Sequence, residues 1–188
     1  VFAGKVRLKR FLDVLADTQR IQLLQVRVAF KENDSLDQAS QYIAQARAIA
    51  PRNTLLLQKQ AIIAGMMGNK AEAARLAREL TSIDPSPQNR AILANSLFAT
   101  GQFAQAAEEY AQLTDNNSQM LFNAGLSFAA AHEYARAAQY LEKYIQDIAP
   151  RQSSEGLLAL GNVYTSMGEG AQAARAYSQY LGMATKPH

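Results

Sequence analysis

Apolar residues recur along this chain at helical spacing. Leu8, Phe11, Leu12 and Leu15 fall on one stripe over residues 1 to 16, the three- and four-residue rhythm of an amphipathic helix. Further on, such stripes come in pairs: a helix of about 13 residues, a tight turn, then a second helix of similar length. A small residue sits at the same phase of each pair, at Ala39, Ala73, Ala106, Ala137 and Ala173, giving intervals of 34, 33, 31 and 36. Gly68, Gly101 and Gly168 occupy the turn in three units, and Asp34 and His132 take that place in the other two. A sharp reversal between helices needs the backbone freedom these residue types tolerate. Pro51, Pro85 and Pro150 follow second helices, where proline cannot continue the helix and resets the chain.

The columns resemble the tetratricopeptide repeat. The fifth unit is nearest, with Leu157-Leu158-Ala159-Leu160-Gly161-Asn162-Val163-Tyr164, then Gly168, Ala173, Tyr177 and Tyr180. The fourth carries Leu121, Gly125, Phe128, Tyr134, Ala137, Leu141 and Tyr144 in the same columns, and the first carries Leu23, Val26, Phe30, Leu36, Ala39, Ile43, Ala46 and Pro51. The resemblance implies an all-α, right-handed α-solenoid of about five helix-turn-helix repeats. Their expected bounds are 19–53, 54–86, 87–117, 118–151 and 152–183, within an array over 19–188. Residues 1–18 are expected to form an N-terminal helix, the second helix of a truncated upstream repeat, with Gly4 in the small-residue column. At the other end only Gly182 to His188 are expected to follow the last helix, so no polar cap is expected over the fifth unit.

Several residues depart from the pattern. Arg27 stands where the family has Gly or Ala, Gln60 and Ala64 replace a bulky and an aromatic residue, and Arg90 replaces a large apolar one. No proline closes the third unit, and Thr114 to Ser118 is expected to form a shortened polar loop. Packing is expected to be loosest in the middle units. Close approach of paired helices requires small residues, which assigns Gly125 to Ala137 and Gly161 to Ala173.

Composition agrees with a soluble helical chain: 35 of 188 residues are Ala and 18 are Gln, without Cys or Trp. No apolar run approaches the roughly 20 residues that span a bilayer. Without Cys there is no disulfide, thiolate nucleophile or cysteine-ligated metal. The net charge of +3 changes little, because Lys5, Arg7, Lys9, Arg10 and Arg20 against Asp13 and Asp17 account for all of it. The neutral remainder lacks the cationic face that phosphate backbones require, so no nucleic-acid partner is expected.

The sequence also makes no case for catalysis, a metal or a cofactor. His132 and His188 have no ligand spacing, and Glu108 and Glu109 are consecutive, about 100° apart on a helix, which suits a solvated face. Gly65-Met66-Met67-Gly68 lacks the Lys-Ser or Lys-Thr of a phosphate loop.

What the resemblance implies is a partner site on the exposed face of the first helices, at Leu24, Val28, Gln58, Ile62, Met66, Ala91, Asn95, Phe98, Phe122, Leu126, Leu158, Asn162 and Thr165. The family's two-carboxylate clamp would need Lys, Arg and Asn at columns that hold Leu24, Val28, Gln58, Ile62, Ala91 and Asn95. The expected ligand is therefore a peptide or amphipathic helix of another protein docking by apolar burial, with Asn95 and Asn162 bonding its backbone. Phe98 and Phe122 are expected to be exposed, while neighbouring apolar positions fill the inter-repeat core. The expected role is a protein-binding scaffold. Self-association through the uncapped end or the groove, an accessory role in a larger secretion, pilus or polysaccharide-export protein, and RNA reading are the alternatives. An Ala- and Gln-rich, Cys-free array further resembles modules of the bacterial periplasm and cell envelope.

Overall fold

A computed structural model describes residues 36–115, 117–148 and 153–184, which hold nine helices and no strand. In chain order they are α1 (Leu36–Ile49), α2 (Thr54–Met66), α3 (Lys70–Ile83), α4 (Pro87–Ala99), α5 (Phe103–Ala111), α6 (Ser118–Ala130), α7 (Tyr134–Asp147), α8 (Ser154–Ser166) and α9 (Gly170–Ala184). The chain is an all-helical repeat. The expected N-terminal helix, Asp34, Arg27, Leu24, Val28, Pro150 and His188 lie outside the described residues.

One turn is built four times. Gly68, Gly101 and Gly168 have φ of 80°, 77° and 78°, and His132 occupies the same place at φ 63°. The residue after each donates its N–H five residues back, Asn69 to Ala64, Gln102 to Leu97, Glu133 to Phe128 and Glu169 to Tyr164, at 2.8 to 2.9 Å. These are Schellman closures, in which a left-handed residue turns the chain and satisfies the last carbonyls of the first helix. Histidine adopts this conformation less readily than glycine but more readily than most residues.

First and second helices differ in pattern. α3 and α7 each bury a single stripe, Ala73, Ala74, Leu76, Ala77 and Leu80 in one, Ala137, Ala138, Leu141 and Tyr144 in the other. The first helices α2, α6 and α8 are apolar over most of their circumference, as helices with packed neighbours on more than one side must be.

The chain divides into two compact units, Val1–Ile92 and Leu93–His188, with the division inside α4. In the first, α1 packs on α2 and α2 on α3. Leu57, Ala61, Ala64, Ala73, Leu76 and Leu80 form one core cluster, with Ile92 against it, and Ala39, Ile43 and Ile63 form another. In the second unit α5, α6, α7, α8 and α9 pack in succession, and α6 also touches α8. Neighbour-on-neighbour packing is the arrangement of repeat proteins.

Three sequence expectations change in detail. The short interval of the third unit lies in a helix: α5 has 9 residues where α3 and α7 have 14, and the connection from Gln112 to Asn117 is not shortened. Gln60 is accounted for by Arg47, whose guanidinium donates to Gln60 Oε1 at 2.7 Å and to Glu79 Oε1 at 2.9 Å, tying α1, α2 and α3. The close approaches also differ. A Cβ on Gly125 would lie 2.7 Å from Leu141 Cγ and 3.4 Å from the Ala137 carbonyl oxygen, and one on Gly161 would lie 2.5 Å from the Tyr177 ring. The main obstacle is thus a large side chain of the second helix, one turn beyond the small residue.

Candidate functional site

The four left-handed turn residues give the first helices a common register. Six positions before them stand Ile62, Asn95, Leu126 and Asn162, and three before them Gly65, Phe98, Ala129 and Thr165. On α2, Ile62 (36% exposed) and Met66 (58%) share a face with Leu55 (44%), since positions seven and eleven apart align on a helix. In the second unit Phe98 (38%) and Leu158 (39%) are likewise exposed. Each unit carries its own apolar face.

The polar residues of that face are partly engaged by the fold. Gln58 is half-buried and donates to Asn89 Oδ1 at 3.4 Å, while buried Asn89 itself donates to Asp84 Oδ2 at 2.8 Å and to the Asp84 carbonyl oxygen at 3.0 Å. Asn95 and Asn162 are exposed, and their Oδ1 atoms accept from Tyr110 and Tyr177 hydroxyls. Each asparagine is oriented by a tyrosine fifteen residues later, which commits its oxygen to the fold and leaves its amide N–H groups as the donors of the face. Burial pushes the Tyr110 phenol up to about 12.

The aromatic residues separate. Phe98 is exposed and its ring stands edge-on to Phe103, with centroids 5.2 Å apart. Phe122, expected to be exposed, is half-buried with its ring 4.9 Å from that of Tyr144 on α7. It packs within its own repeat.

One crevice opens on this face in the second unit, with a volume of about 290 Å³ and a lining of Leu126, Ala129, Tyr134, Ala159, Asn162, Val163 and Ser166. It lies between α6 and α8, and Tyr134, the first residue of α7, also lines it. It brings together Leu126 and Asn162 of the sequence-named residues. Ala129, Tyr134, Ala159, Val163 and Ser166 were not among the residues expected on this face; of these, Ala129 falls three positions before a turn residue, the column of Phe98 and Thr165. No lining residue carries a formal charge. The Tyr134 hydroxyl shares a 2.8 Å hydrogen bond with Nδ1 of His132, the left-handed turn residue.

Away from this face, ion pairs join second helices. Arg136 pairs with Glu108 at 2.7 Å and with Glu133 at 2.9 Å while its guanidinium lies 3.8 Å from the Phe128 ring centroid. The bond from Arg136 holds the Glu108 carboxyl below its usual range. Glu108 is therefore bridged to the next repeat. Among the described residues no group of three or more His, Cys, Asp or Glu could hold a metal ion, and no helix is long and apolar enough to cross a membrane.

No protein-family sequence model matches the chain, and no curated protein matches it by sequence. Solved structures do match. A crystal structure of a MamA protein aligns with a TM-score of 0.80 at 18% identity, over 89% of this chain and 92% of that one. MamA from Desulfovibrio magneticus RS-1 aligns with a TM-score of 0.79 at 11% identity, over 89% and 96%. A MamA AMB-1 structure aligns with a TM-score of 0.79 at 12% identity, over 92% and 95%. At these identities the likeness carries the fold.

Proposed function

From a chain with the tetratricopeptide-repeat fold, we propose a non-catalytic scaffold that holds a peptide or amphipathic helix of another protein on the exposed face of its first helices. The observation that carries this reading is that each unit exposes apolar side chains on its first helices, Leu55, Ile62 and Met66 in one and Phe98 and Leu158 in the other. Such groups gain free energy only when something covers them. The free N–H groups of Asn95 and Asn162 support recognition of backbone carbonyl oxygens alongside. A setting in a bacterial envelope assembly is supported by the alanine- and glutamine-rich, cysteine-free composition, and cell fractionation tests it.

The experiment is selection of binding peptides from a random display library on the full chain, followed by substitution. Ile62→Asp, Met66→Asp and Leu158→Asp should each weaken selected peptides at least tenfold, the scale of a buried anchor, with melting temperatures unchanged. Lys143→Asp, on the exposed side of α7, should leave binding intact. Peptides indifferent to all three first-helix substitutions would refute the reading. Self-association is the second reading, favoured by exposed Leu181 on α9. Sedimentation across concentration, with Leu181→Asp as comparison, separates the two.

A further inference from the structure

The crevice between α6 and α8 lies at columns where consecutive repeats differ. Three positions before the turn residue stand Phe98 in one repeat and Ala129 in the next; two positions after it stand Phe103 and Tyr134. In the earlier repeat the Phe98 ring rests on Phe103, 5.2 Å centroid to centroid and edge-on. In the later repeat Tyr134 keeps its aromatic place, Ala129 offers only a methyl group, and the space beside them is open. The His132 ring stands edge-on to Tyr134 with centroids 5.8 Å apart, and what the later repeat lacks is a ring at the column that Phe98 fills in the earlier one.

We infer that this crevice is the anchor pocket of the proposed partner site and takes an aromatic side chain of the bound segment, stacked edge-on against Tyr134 as Phe98 stacks on Phe103. The inference rests on the scaffold reading and names the chemistry of the partner at that face. Its volume of about 290 Å³ lies at the lower limit of the ~300–1,000 Å³ range for small-molecule sites, which suits a single side chain. Leu126, Ala129 and Val163 supply apolar walls, and with no formal charge in the lining there is nothing to hold an acidic or basic anchor. An aromatic ring gains from an aromatic neighbour beyond the area it buries. Asn162 and Ser166, exposed in the lining, supply polar atoms for the flanking backbone. His132 acts as a positioning residue: its hydrogen bond to the Tyr134 hydroxyl fixes the ring against which the ligand stacks.

The test is titration of the full chain with N-acetyl-phenylalaninamide, read by methyl NMR, beside N-acetyl-leucinamide and N-acetyl-alaninamide. A ligand of that size is expected to bind with a dissociation constant on the order of 1 mM, moving the methyl signals of Leu126, Ala129 and Val163. The leucine analogue should bind several-fold more weakly and the alanine analogue should move nothing. Ala129→Phe, which copies the preceding repeat, should abolish the response while the melting temperature holds or rises. If Ala129→Phe does not fold, Tyr134→Ala should weaken the phenylalanine analogue at least tenfold. His132→Gly should weaken it less and leave folding intact.

Equal binding of the leucine and phenylalanine analogues overturns the inference, as does a response that survives both Ala129→Phe and Tyr134→Ala. So do Leu126 and Val163 signals that move with protein concentration alone, because a second copy would then occupy the crevice. A silent crevice alongside peptides that still depend on Ile62 or Leu158 overturns this inference and leaves the scaffold reading standing.

Discussion

Gly125→Ala tests the packing account most sharply, because helix propensity and tertiary packing predict opposite signs. Alanine is favoured over glycine inside a helix by about 0.5–1 kcal/mol, so an unhindered substitution stabilises. At Gly125 the new Cβ would stand 2.7 Å from Leu141 Cγ and 2.9 Å from Leu141 Cδ2, against the ~3.5–4.0 Å at which carbon atoms rest. Leu141 is fully buried and the Ala137 carbonyl oxygen lies 3.4 Å away on the same side, so α6 and α7 must part by roughly 1 Å or Leu141 must leave its rotamer. Overpacking of this kind costs about 1–3 kcal/mol. The expected net loss is about 1–2 kcal/mol, or roughly 2–8 °C in melting temperature for a chain of this length.

Gly65→Ala is the control. Its Cβ would meet only Ala73 Cβ at 3.9 Å, and it should stabilise by up to about 1 kcal/mol. Urea denaturation followed by circular dichroism measures both. In a Leu141→Ala background, itself destabilised by about 2–5 kcal/mol, Gly125→Ala should turn stabilising, a coupling that double-mutant cycles isolate. If Gly125→Ala and Gly65→Ala shift the midpoint equally, or if removing Leu141 leaves the sign unchanged, the packing account is wrong.

Three further outcomes follow from the same structure. Ala173→Leu, at a position only 5% exposed, should cost roughly 1–3 kcal/mol by overpacking; an unchanged thermal melt would remove Ala173 from the close-contact column. Arg136→Met should cost about 1 kcal/mol through loss of the Phe128 ring contact and the exposed pairs with Glu108 and Glu133, and an unmoved urea midpoint would deny those contacts any energetic role. The Tyr110 phenol is raised by burial to about 12, so its contribution is complete below the unfolded-state value near 10 and is lost as pH rises toward 12. Tyr110→Phe should shallow the fall in stability over that alkaline interval, and an identical pH profile would contradict the assignment.

Periodicity made the repeat legible because the turn is a backbone requirement. Gly68, Gly101 and Gly168 announce a left-handed residue, and the 34-residue rhythm identified His132 as their counterpart even though histidine alone signals no turn. The contents of each interface were less legible. Gly156 faces the Tyr144 ring, 2.7 Å from where its Cβ would stand, and nothing in the sequence pairs those positions. Gln60 reads as a defect until Arg47 and Glu79 meet across three helices. Phe122 and Phe98 are both aromatic residues on first helices, but the Tyr144 ring partly covers Phe122. The crevice was hidden for a different reason: its lining comes from α6, α7 and α8 together, and the Phe98-to-Ala129 difference beside it shows only when consecutive repeats are set in register.

In the proposed function, partners are held on the first helices. The most direct measurement is methyl NMR of the full chain during titration with a display-selected peptide. The predicted result is movement of the Leu55, Ile62 and Met66 signals in the first unit, or of the Leu126, Leu158 and Val163 signals in the second, with Leu76 and Leu80 of α3 and Leu141 of α7 unmoved. Saturable binding that moves only signals of second helices, such as Leu181 on α9, would contradict it.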